Sequence, residues 1–288
     1  MIRRPFSSRH RLQTSGYVVF SERVGVIPES NRVIQSVWLG APLSTLEMLC
    51  MKSFLKNGHE FHLYTYDDLK GIPSGVVVKD ANEIVPYERI KEFRWSAGFS
   101  DFFRYSMLLN GGWYVDMDVI CLRPLDFSSE YVFAASSCMD FENNYTPLDL
   151  PNRYMYKTKH FVGDAFLKAP ANSELMRYCQ QLVEGDDRKG AADFPYDEFG
   201  PRLFKKAVRK FGLEKYIRVP IVFDPVPHRI AFRVVDPTAS WDLRDSYVAH
   251  LNRSVWNKGA TSGPVNLMTE DSYPDDCLYE TLKKRCGL

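Results

Sequence analysis

The stretch SDFFRYSMLLNGGWYVDMDVICLRPLDF, residues 100–127, is the part of this chain that decides its fold class. Two carboxylates, Asp116 and Asp118, stand at the end of an apolar segment that predicts a buried strand. Alternate residues of a strand face the same side, so we expect both carboxylates to converge on one point. Two like charges held so close repel unless a cation lies between them, and a hard divalent ion suits oxygen ligands.

Strands and helices alternate on either side of this stretch. The patterns of residues 31–40, 61–68 and 113–120 predict strands, whereas residues 41–60 and 96–112 have the spacing of helices. This alternation predicts an α/β fold with a mostly parallel central sheet flanked by helices. Ligands bind such sheets at the carboxyl ends of the strands, which is where the acid pair falls.

The boundaries of the first helix and the elements after residue 125 can also be predicted. Ser44 or Thr45, with Glu47 nearby, marks the start of the first helix, and Asn57-Gly58 marks its end. Further strands, helices and extended segments follow in turn: strands in 131–137 and 161–170, helices in 172–185 and 196–212, and extended chain in 216–228 and 246–256. We expect one domain over 31–260, a basic tail over 1–30, a C-terminal tail over 261–288, and variable loops between about 140 and 160.

Composition limits the class of partner and the compartment. The formal net charge of the 288 residues is +1, so no global field favours nucleic acid. The six cysteines form no C-x-x-C pair, and we interpret them as reduced thiols of a cytoplasmic protein. No segment reaches the roughly 18–20 apolar residues of a membrane span. The N-terminus carries Arg3, Arg4, Arg9 and Arg11, which predicts either a loose tail or weak peripheral contact with the inner face of the membrane.

Three interpretations of the acid pair remain open from the residues alone. Asp116 and Asp118 could flank a solvated turn, which is costly after an apolar strand. They could open a phosphatase motif of the haloacid dehalogenase type, with Asp116 as nucleophile and the GDD of residues 185–187 as the second acidic pair. They could instead bind the metal of a nucleotide-sugar transferase, where the ion neutralises the departing diphosphate.

The stretch 100–127 closely resembles the signature of the DXD-type sugar-transferase family, in which Ser-Asp, Arg-Tyr and Gly-Gly precede an Asp-x-Asp pair. RVIQSVWLG, residues 32–40, is similar to the family's first strand, written I-P-K-x-I-H-Q-x-W-x-G. The family includes initiating α-mannosyltransferases, glycolipid α-galactosyltransferases, capsule and lipopolysaccharide sugar transferases and large glucosylating toxins. The resemblance spans about residues 31–257, patchily after 130, and implies a GT-A fold that retains anomeric configuration.

The resemblance implies donor-binding roles for three residues before the acid pair. Trp38 would lie against the base, and the alternative is a core tryptophan. Asp101 would bind hydroxyls of the hexose or ribose, and Arg104 the hexose or diphosphate. These two residues are three apart in a predicted helix and share one face. Without the resemblance they would be interpreted as a solvated ion pair worth a few tenths of a kcal/mol.

The resemblance also implies the metal ligands and the ribose site. Tyr114 and Asp116 would border the ribose, with Asp116 reaching the ion through water, while Asp118 would ligate it directly. AHLNRSVW, residues 249–256, is similar to the family's closing motif and makes His250 the third ligand. An imidazole suits Mn²⁺, although Mg²⁺ is the alternative.

The closing motif further implies that Asn252, Ser254 and Trp256 lie near the diphosphate. In FVGDAFLKAPANSEL, residues 161–175, Asp164 stands where relatives commonly have Asn. Its carboxylate could stabilise positive charge at the anomeric carbon or attack it, and the alternative is a turn or cap residue. EFGPRLF matches a family Gly-Pro turn, with Gly200 and Pro201 shaping the chain or the acceptor cleft.

Taken with these residues, the resemblance implies a retaining, metal-dependent glycosyltransferase that moves a hexose from a nucleotide sugar, most simply a UDP-hexose, to a saccharide or lipid-linked acceptor in cell-surface polysaccharide synthesis. Asp164, Arg104 and Asp101 are the candidate catalytic residues. One alternative is a protein that binds nucleotide sugars without turnover. Another is a glucosylating effector that modifies a protein. The hexose and the acceptor are not specified by the sequence.

Overall fold

The structure is a computed structural model that describes residues 16–21, 25–40, 42–136, 162–256 and 272–288. The strands of these residues, in chain order, are β1 Val18–Phe20, β2 Val33–Trp38, β3 Glu60–Thr65, β4 Val76–Asp80, β5 Gly112–Val115, β6 Val119–Cys121, β7 Val132–Ala135, β8 Val162–Ala169, β9 Ile217–Arg218, β10 Trp241–Leu243 and β11 Val248–His250. The helices are α1 Thr45–Lys56, α2 Ser96–Met107, α3 Glu174–Glu184, α4 Leu203–Lys210, α5 Pro220–Phe223 and α6 Leu278–Cys286.

The central sheet has seven strands in the order β4-β3-β2-β5-β8-β7-β9. The pairs β4–β3, β3–β2, β2–β5 and β7–β9 are parallel, and only β8 runs antiparallel to its neighbours β5 and β7. Helix α1 connects β2 to β3, and α2 precedes β5, as expected for parallel strands joined by crossovers. The prediction of an α/β fold with a mostly parallel sheet is confirmed.

Both faces of the sheet are buried. Trp113 of β5 and Phe166 of β8 pack on the side of α1 and α6. Their chain neighbours Tyr114 and Leu167 point to the opposite side, where the aromatic residues of α2 and α4 cover them. This alternation fixes the direction of Tyr114. Its ring lies on the α2 side of the sheet, near the edge where the parallel strands end.

Helix α1 begins and ends where the sequence predicts. The Ser44 hydroxyl accepts the backbone N–H of Leu46, and the Glu47 carboxylate accepts the backbone N–H of Ser44 at 2.6 Å, which completes a capping box. Asn57 caps the other end, and Gly58 follows with a φ of +85°, a conformation that glycine adopts without strain.

The predicted single strand over residues 113–120 is wrong in one respect. Strand β5 ends at Val115, and Asp116, Met117 and Asp118 form a turn closed by a hydrogen bond from the Val119 N–H to the Asp116 carbonyl at 3.1 Å. Strand β6 then leaves the central sheet and pairs antiparallel with β11. The acid pair therefore converges through a turn and not through strand alternation.

Two later segments also differ from the sequence prediction. Residues 216–228 were predicted to be extended, yet Pro220 opens the short helix α5, because proline is well suited to the first helical position. The helix predicted over 196–212 contains a π-helical turn, Glu198–Arg202, with non-helical dihedral angles at Gly200. Regular helix resumes at α4.

Both ends of the described chain pack onto the domain. Strand β1 pairs in parallel with β10, and α6 packs against α1. The predicted division into 1–30, 31–260 and 261–288 stays a prediction, and the basic residues before residue 16 lie outside the described residues, as do the loops of 140–160. Among the described helices, none is long and apolar enough to cross a membrane. The described cysteines are all free: Cys50, Cys121, Cys179, Cys277 and Cys286.

Candidate active site

A cavity of about 1390 Å³ runs along the edge of the sheet where the parallel strands end. Trp38 is the last residue of β2, Asp116 follows β5, and Asp164 lies near the start of the antiparallel β8. All three line the cavity. Because adjacent strands are about 4.8 Å apart, the sheet order β2-β5-β8 sets these side chains out in sequence along the cavity floor.

The pairing of β6 with β11 brings His250 to the acid pair. In this antiparallel ladder His250 stands opposite Val119, the residue that follows Asp118. As a result, ligand atoms of Asp116, Asp118 and His250 all lie within 4.8 Å of one another. Residues that are more than 130 positions apart in the sequence thus form one group with the chemistry of a divalent-metal site.

Asp118 is held as a carboxylate by its neighbours. The backbone N–H of Arg253 donates to Asp118 Oδ2 at 2.8 Å, and His250 Nε2 lies 3.3 Å from Oδ1. Burial acts to raise the pKa of Asp118, but the charge and hydrogen bond of His250, with the Arg253 N–H, outweigh it and lower the pKa. A permanently ionised carboxylate is what a direct metal ligand requires.

His250 has the opposite perturbation. Burial favours the neutral ring, yet the charge of Asp118 and its hydrogen bond, with further contributions from Asp224 and Asp116, raise the pKa of His250 to about 9. Its Nδ1 lies 3.8 Å from Asp224 Oδ1. In the metal-free protein the ring is therefore an imidazolium at neutral pH, and it must lose a proton before a ring nitrogen can bind a metal.

Arg104 is the centre of a buried ion cluster. Its guanidinium, only 6% exposed, lies 3.1 Å from Asp101, 3.2 Å from Asp116 and 3.0 Å from Asp164, and it donates to the Asp164 carbonyl at 2.7 Å. The predicted sharing of one helix face by Asp101 and Arg104 is confirmed, and both are buried, so the pair is not a solvated surface contact. Burying a guanidinium among three carboxylates is costly unless each charge is compensated.

Asp101 is the carboxyl group least able to ionise in this cluster. Burial raises its pKa well above the usual range, Arg104 opposes this, and the neighbouring charge of Asp164 adds to it. The backbone at Gly200 packs directly against both acids, since a Cβ there would lie 3.0 Å from Oδ2 of Asp101 and of Asp164. A protonated Asp101 can donate a hydrogen bond, for instance to a sugar hydroxyl oxygen.

Tyr114 positions Asp116. Its buried hydroxyl donates to Asp116 Oδ1 at 2.8 Å, and the Arg104 guanidinium lies 4.6 Å from the centre of its ring. Among the described residues, the side-chain hydrogen bonds to Asp116 all use Oδ1, which leaves Oδ2 for another partner. Burial raises the pKa of Asp116, whereas Arg104 opposes the shift. The two members of the acid pair thus differ in the direction of their pKa shift, and the predicted division into a direct and a water-mediated metal ligand stays a prediction.

Trp38 lines the cavity and is only partly buried, so it is not a plain core residue. The Arg253 guanidinium lies 5.7 Å from the centre of its ring and pairs with the buried Glu47. The sequence did not predict a place in the site for Arg253. It predicted Glu47 only as part of the cap of the first helix. The one sequence feature that indicated Arg253 as a site residue was its position between Asn252 and Ser254.

Of the three remaining residues of the closing motif, Asn252 and Ser254 line the cavity and Trp256 does not. Asn252 adopts a left-handed conformation with φ of +52°, and its amide donates to the carbonyls of Val226 at 3.2 Å and His250 at 3.0 Å. Trp256 is buried behind the site, where its indole N–H donates to the Leu251 carbonyl at 2.6 Å. Trp256 thus supports the backbone and does not face the cavity.

The phosphatase alternative lacks its second acidic pair at this site. Asp186 and Asp187 follow α3 on the surface, and Asp186 is bound by Arg188 at 2.7 Å. Neither lines the cavity. A group of this composition, with an imidazole and a buried arginine beside the acid pair, is instead suited to a metal-bound diphosphate.

A comparison with protein-family models matches the first part of the chain. Residues 17–136 match the family model described as a glycosyltransferase sugar-binding region containing a DXD motif. This part of the chain is therefore similar to a DXD-type glycosyltransferase region, and the predicted resemblance and enzyme class are confirmed. The matched region ends before Asp164 and His250, so the family model does not cover the closing motif.

Two solved structures are similar in part. One, titled PaToxG Glycosyltransferase, is 13% identical, with a TM-score of 0.41, and the match covers 63% of this chain and 69% of that one. The other, described as a transferase mutant in which two cysteines are replaced by serine, is 11% identical, with a TM-score of 0.37, and the match covers 70% and 92%. The comparison with curated protein sequences gave no match.

Proposed function

We propose that this chain is a retaining, divalent-metal-dependent glycosyltransferase that moves a hexose from a UDP-sugar to a hydroxyl group of a saccharide or glycolipid acceptor. The observation that carries the proposal is the convergence of Asp116, Asp118 and His250 within 4.8 Å, next to the buried Arg104. In this proposal the protein acts in the cytoplasm in cell-surface polysaccharide synthesis, with weak peripheral membrane contact through its basic N-terminus.

The residues of the site fit a bound Mn²⁺ or Mg²⁺. Besides Asp101, whose raised pKa favours the neutral acid, four carboxylates line this part of the cavity, Asp116, Asp118, Asp164 and Asp224, against the cations Arg104 and His250. This excess of negative charge is unfavourable for a diphosphate unless a cation is present. Asp118, Asp116 and His250 would hold the ion, and the imidazole favours Mn²⁺ over Mg²⁺. When bound, the ion would neutralise charge on the departing diphosphate.

The other lining residues would bind the donor in the order of the strands. Trp38 would stack on the base at the β2 end of the cavity, and Arg253, next to it, would contact the diphosphate together with Ser254. Tyr114 holds the Asp116 carboxylate toward the ribose. Arg104 and a protonated Asp101 would bind the hexose, because one supplies N–H donors and the other an O–H donor.

The transfer step needs no side-chain base. The bond between the hexose C1 and the diphosphate oxygen breaks, a bond from C1 to the acceptor oxygen forms on the same face, and the acceptor proton passes to the departing phosphate oxygen. Asp164 lines the cavity beside Arg104, and its carboxylate would stabilise the positive charge that develops on the sugar ring.

A donor-hydrolysis screen tests the proposal. Nucleotide release is measured from a panel of UDP- and GDP-hexoses with Mn²⁺, for the wild type, Asp118→Ala and the exposed-acid control Asp187→Ala. Asp118→Ala should lose at least about 100-fold in kcat/KM, as expected when a charge-stabilising group is removed. The control should match the wild type. Equal turnover in Asp118→Ala and the wild type would contradict the metal assignment.

The stereochemical part of the proposal has a separate test. The anomeric configuration of the transferred hexose is read by NMR from the product of the best donor and acceptor pair. Retention is expected, and Asp164→Asn should lower kcat more than it changes the KM for the donor. An inverted product would contradict the retaining mechanism. Tight UDP binding with Mn²⁺ but no release from any donor would favour a binding protein without turnover.

A further inference from the structure

One face of α4 and of the turn before it is basic and lines the cavity. Its members are spaced i, i+3, i+4 and i+7, so they share one side of the helix: Arg202, Lys205, Lys206 and Arg209. The opposite side of the helix is buried in the core. Along the axis, this basic face of α4 extends over about 10 Å at the normal helical rise.

Two of these cations are available to a ligand. Arg202 is bound by Asp197, its Nε lying 2.7 Å from the carboxylate, so its charge is already compensated. Lys206 and Arg209 are exposed. Within the described part of the chain, no carboxylate lies at ion-pair distance from either of them. The basic face therefore presents a lysine and an arginine, one helical turn apart, to the cavity.

The basic face lies on the acceptor side of the acid centre. The turn before α4 contacts Asp101 and Asp164 through Gly200, and α4 packs against β8. Trp38, the residue proposed for the base, ends β2, which lies two strands away from β8 in the sheet. A donor that extends from Trp38 to Arg104 thus leaves the α4 end of the cavity for the second substrate.

One exposed aromatic side chain, Tyr196, lies next to Asp197, which binds Arg202 of the basic face. Tyr196 lines the cavity and is 61% exposed, and its ring centre lies 5.9 Å from that of Trp95. Exposed aromatic rings of this kind suit the apolar face of a sugar ring. A saccharide placed on Tyr196 would therefore be within the part of the cavity that the basic face borders.

On the basis of the proposed function, we infer that the acceptor is a saccharide that carries a phosphate group, which Lys206 and Arg209 bind. A phosphate carries between one and two negative charges at neutral pH, which two cations match. Arginine binds phosphate oxygens through two parallel N–H donors, and lysine adds a point charge. The same chemistry is found in a soluble sugar phosphate and in the headgroup of a phosphoinositide lipid.

The test compares matched acceptors that differ by one phosphate group. Nucleotide release from the best UDP-hexose is measured with glucose or glucose 6-phosphate, and with phosphatidylcholine vesicles that contain either phosphatidylinositol or phosphatidylinositol 4-phosphate. The phosphorylated member of a pair should have a KM at least about tenfold lower, the equivalent of one good charge-assisted contact. Preference confined to the sugar phosphate identifies a soluble acceptor, and preference confined to the lipid vesicles identifies a headgroup.

Charge variants on α4 test whether Lys206 and Arg209 cause the preference for the phosphorylated acceptor. In Lys206→Gln/Arg209→Gln the preference should disappear, when transfer is expressed relative to donor hydrolysis by the same variant. The control Lys210→Gln/Lys215→Gln removes two exposed charges that do not line the cavity and should keep the preference. The charge-conserving Lys206→Arg/Arg209→Lys should also keep it, and added salt should weaken it.

Two results would overturn the inference. One is equal use of both members of every pair, and the other is a phosphate preference that Lys206→Gln/Arg209→Gln retains. Absence of donor turnover in the wild type is a different result, because it contradicts the proposed function itself. Intact donor turnover without phosphate preference contradicts only the assignment of the acceptor.

Discussion

At the scale of single residues, Arg104 is the cation shared by three carboxyl groups, those of the buried Asp101 and Asp164 and of the half-buried Asp116. Arg104→Met would leave these groups without that cation, so we expect a loss of about 3–5 kcal/mol in the free energy of unfolding at pH 7. The loss should shrink at low pH, where the carboxylates are protonated in both states. Urea unfolding at several pH values measures both effects.

Arg188→Met is the matched control for Arg104→Met. Arg188 also pairs with an aspartate, at 2.7 Å, but its side chain is 71% exposed. Exposed ion pairs contribute little to stability because solvent screens them, so this variant should unfold close to the wild type. Similar losses in the two variants, or a loss for Arg104→Met that is independent of pH, would contradict the central role of Arg104.

The pKa of His250 makes metal binding depend on pH. Because this pKa is raised from 6.5 to about 9 in the metal-free protein, the imidazolium contributes stability that is complete below pH 6.5 and is lost as the pH rises through about 9. A metal must displace the same proton. Mn²⁺ affinity should therefore rise by up to about tenfold per pH unit over this window.

Calorimetric Mn²⁺ titrations of the wild type and His250→Gln measure this dependence. The variant has no proton to displace, so its affinity should be lower at high pH and nearly independent of pH between about pH 6.5 and 8.5. Buffers with different ionisation enthalpies report the proton released by the wild type. The same slope in both proteins would show that His250 does not ligate the ion.

The site could be predicted from the sequence where its residues are close in the chain. Asp101, Arg104 and Asp116 lie within one stretch, and their contacts follow from helix spacing and from a single turn. Arg253 and Asp224 could not be predicted, because they reach the site through the β6–β11 pairing and α5, which are long-range contacts. The burial of Trp256 was likewise decided by packing against Tyr279, a residue of the predicted C-terminal tail.

At the scale of elements, the turn between α3 and α4 fixes the acids through Gly200. A Cβ at this position would meet Oδ2 of Asp101 and of Asp164 at 3.0 Å, which is tighter than ordinary van der Waals contact. Gly200→Ala should displace the two carboxylates slightly. A small misplacement of catalytic groups can cost up to about 100-fold in rate, so we expect kcat to fall between about 10- and 100-fold with the fold intact.

Gly98→Ala serves as the control for Gly200→Ala. Gly98 lies in α2, and a Cβ there would meet the rings of Phe199 and Phe93 at 3.5 and 3.6 Å, which are ordinary contacts. Alanine is also favoured over glycine inside a helix by about 1 kcal/mol. This variant should keep full donor hydrolysis and unfold at an equal or higher temperature. Equal activity of both variants would contradict the role of the turn.

Local sequence signals predicted most helices and strands, but they did not predict how the strands pair or where the turns between them fall. The capping box of α1 and the glycine after it are local, and those boundaries are confirmed, whereas the helix predicted over 96–112 ends earlier, at Met107. The apolar run through Asp116 and Asp118 reads as one strand, because period-two spacing cannot distinguish a strand from two strands joined by a three-residue turn. The pairing of β6 with β11 decides this instead. The π-helical turn at Gly200 also depends on contacts with α2 and β8.

At the scale of the whole molecule, a net charge of +1 conceals a strong separation of charge. The acid centre is negative, whereas Arg253 on one side and the basic face of α4 on the other are positive. A diphosphate alone is repelled by the acid centre, and a metal alone is opposed by the proton of His250. Each ligand therefore favours binding of the other. The metal cancels the negative charge that repels the diphosphate, and the diphosphate supplies further oxygen ligands to the metal.

UDP and Mn²⁺ should therefore stabilise the protein cooperatively. A ligand that binds the folded state at about 100 times its dissociation constant adds about 2.7 kcal/mol, so the shift in melting temperature reports affinity directly. We expect the shift with both ligands to exceed the sum of the shifts with UDP alone and Mn²⁺ alone. Asp118→Asn should remove the excess and the control Asp187→Asn should keep it. Additive shifts in the wild type would mean that the two ligands occupy independent sites, which contradicts a metal-bound diphosphate at the acid centre.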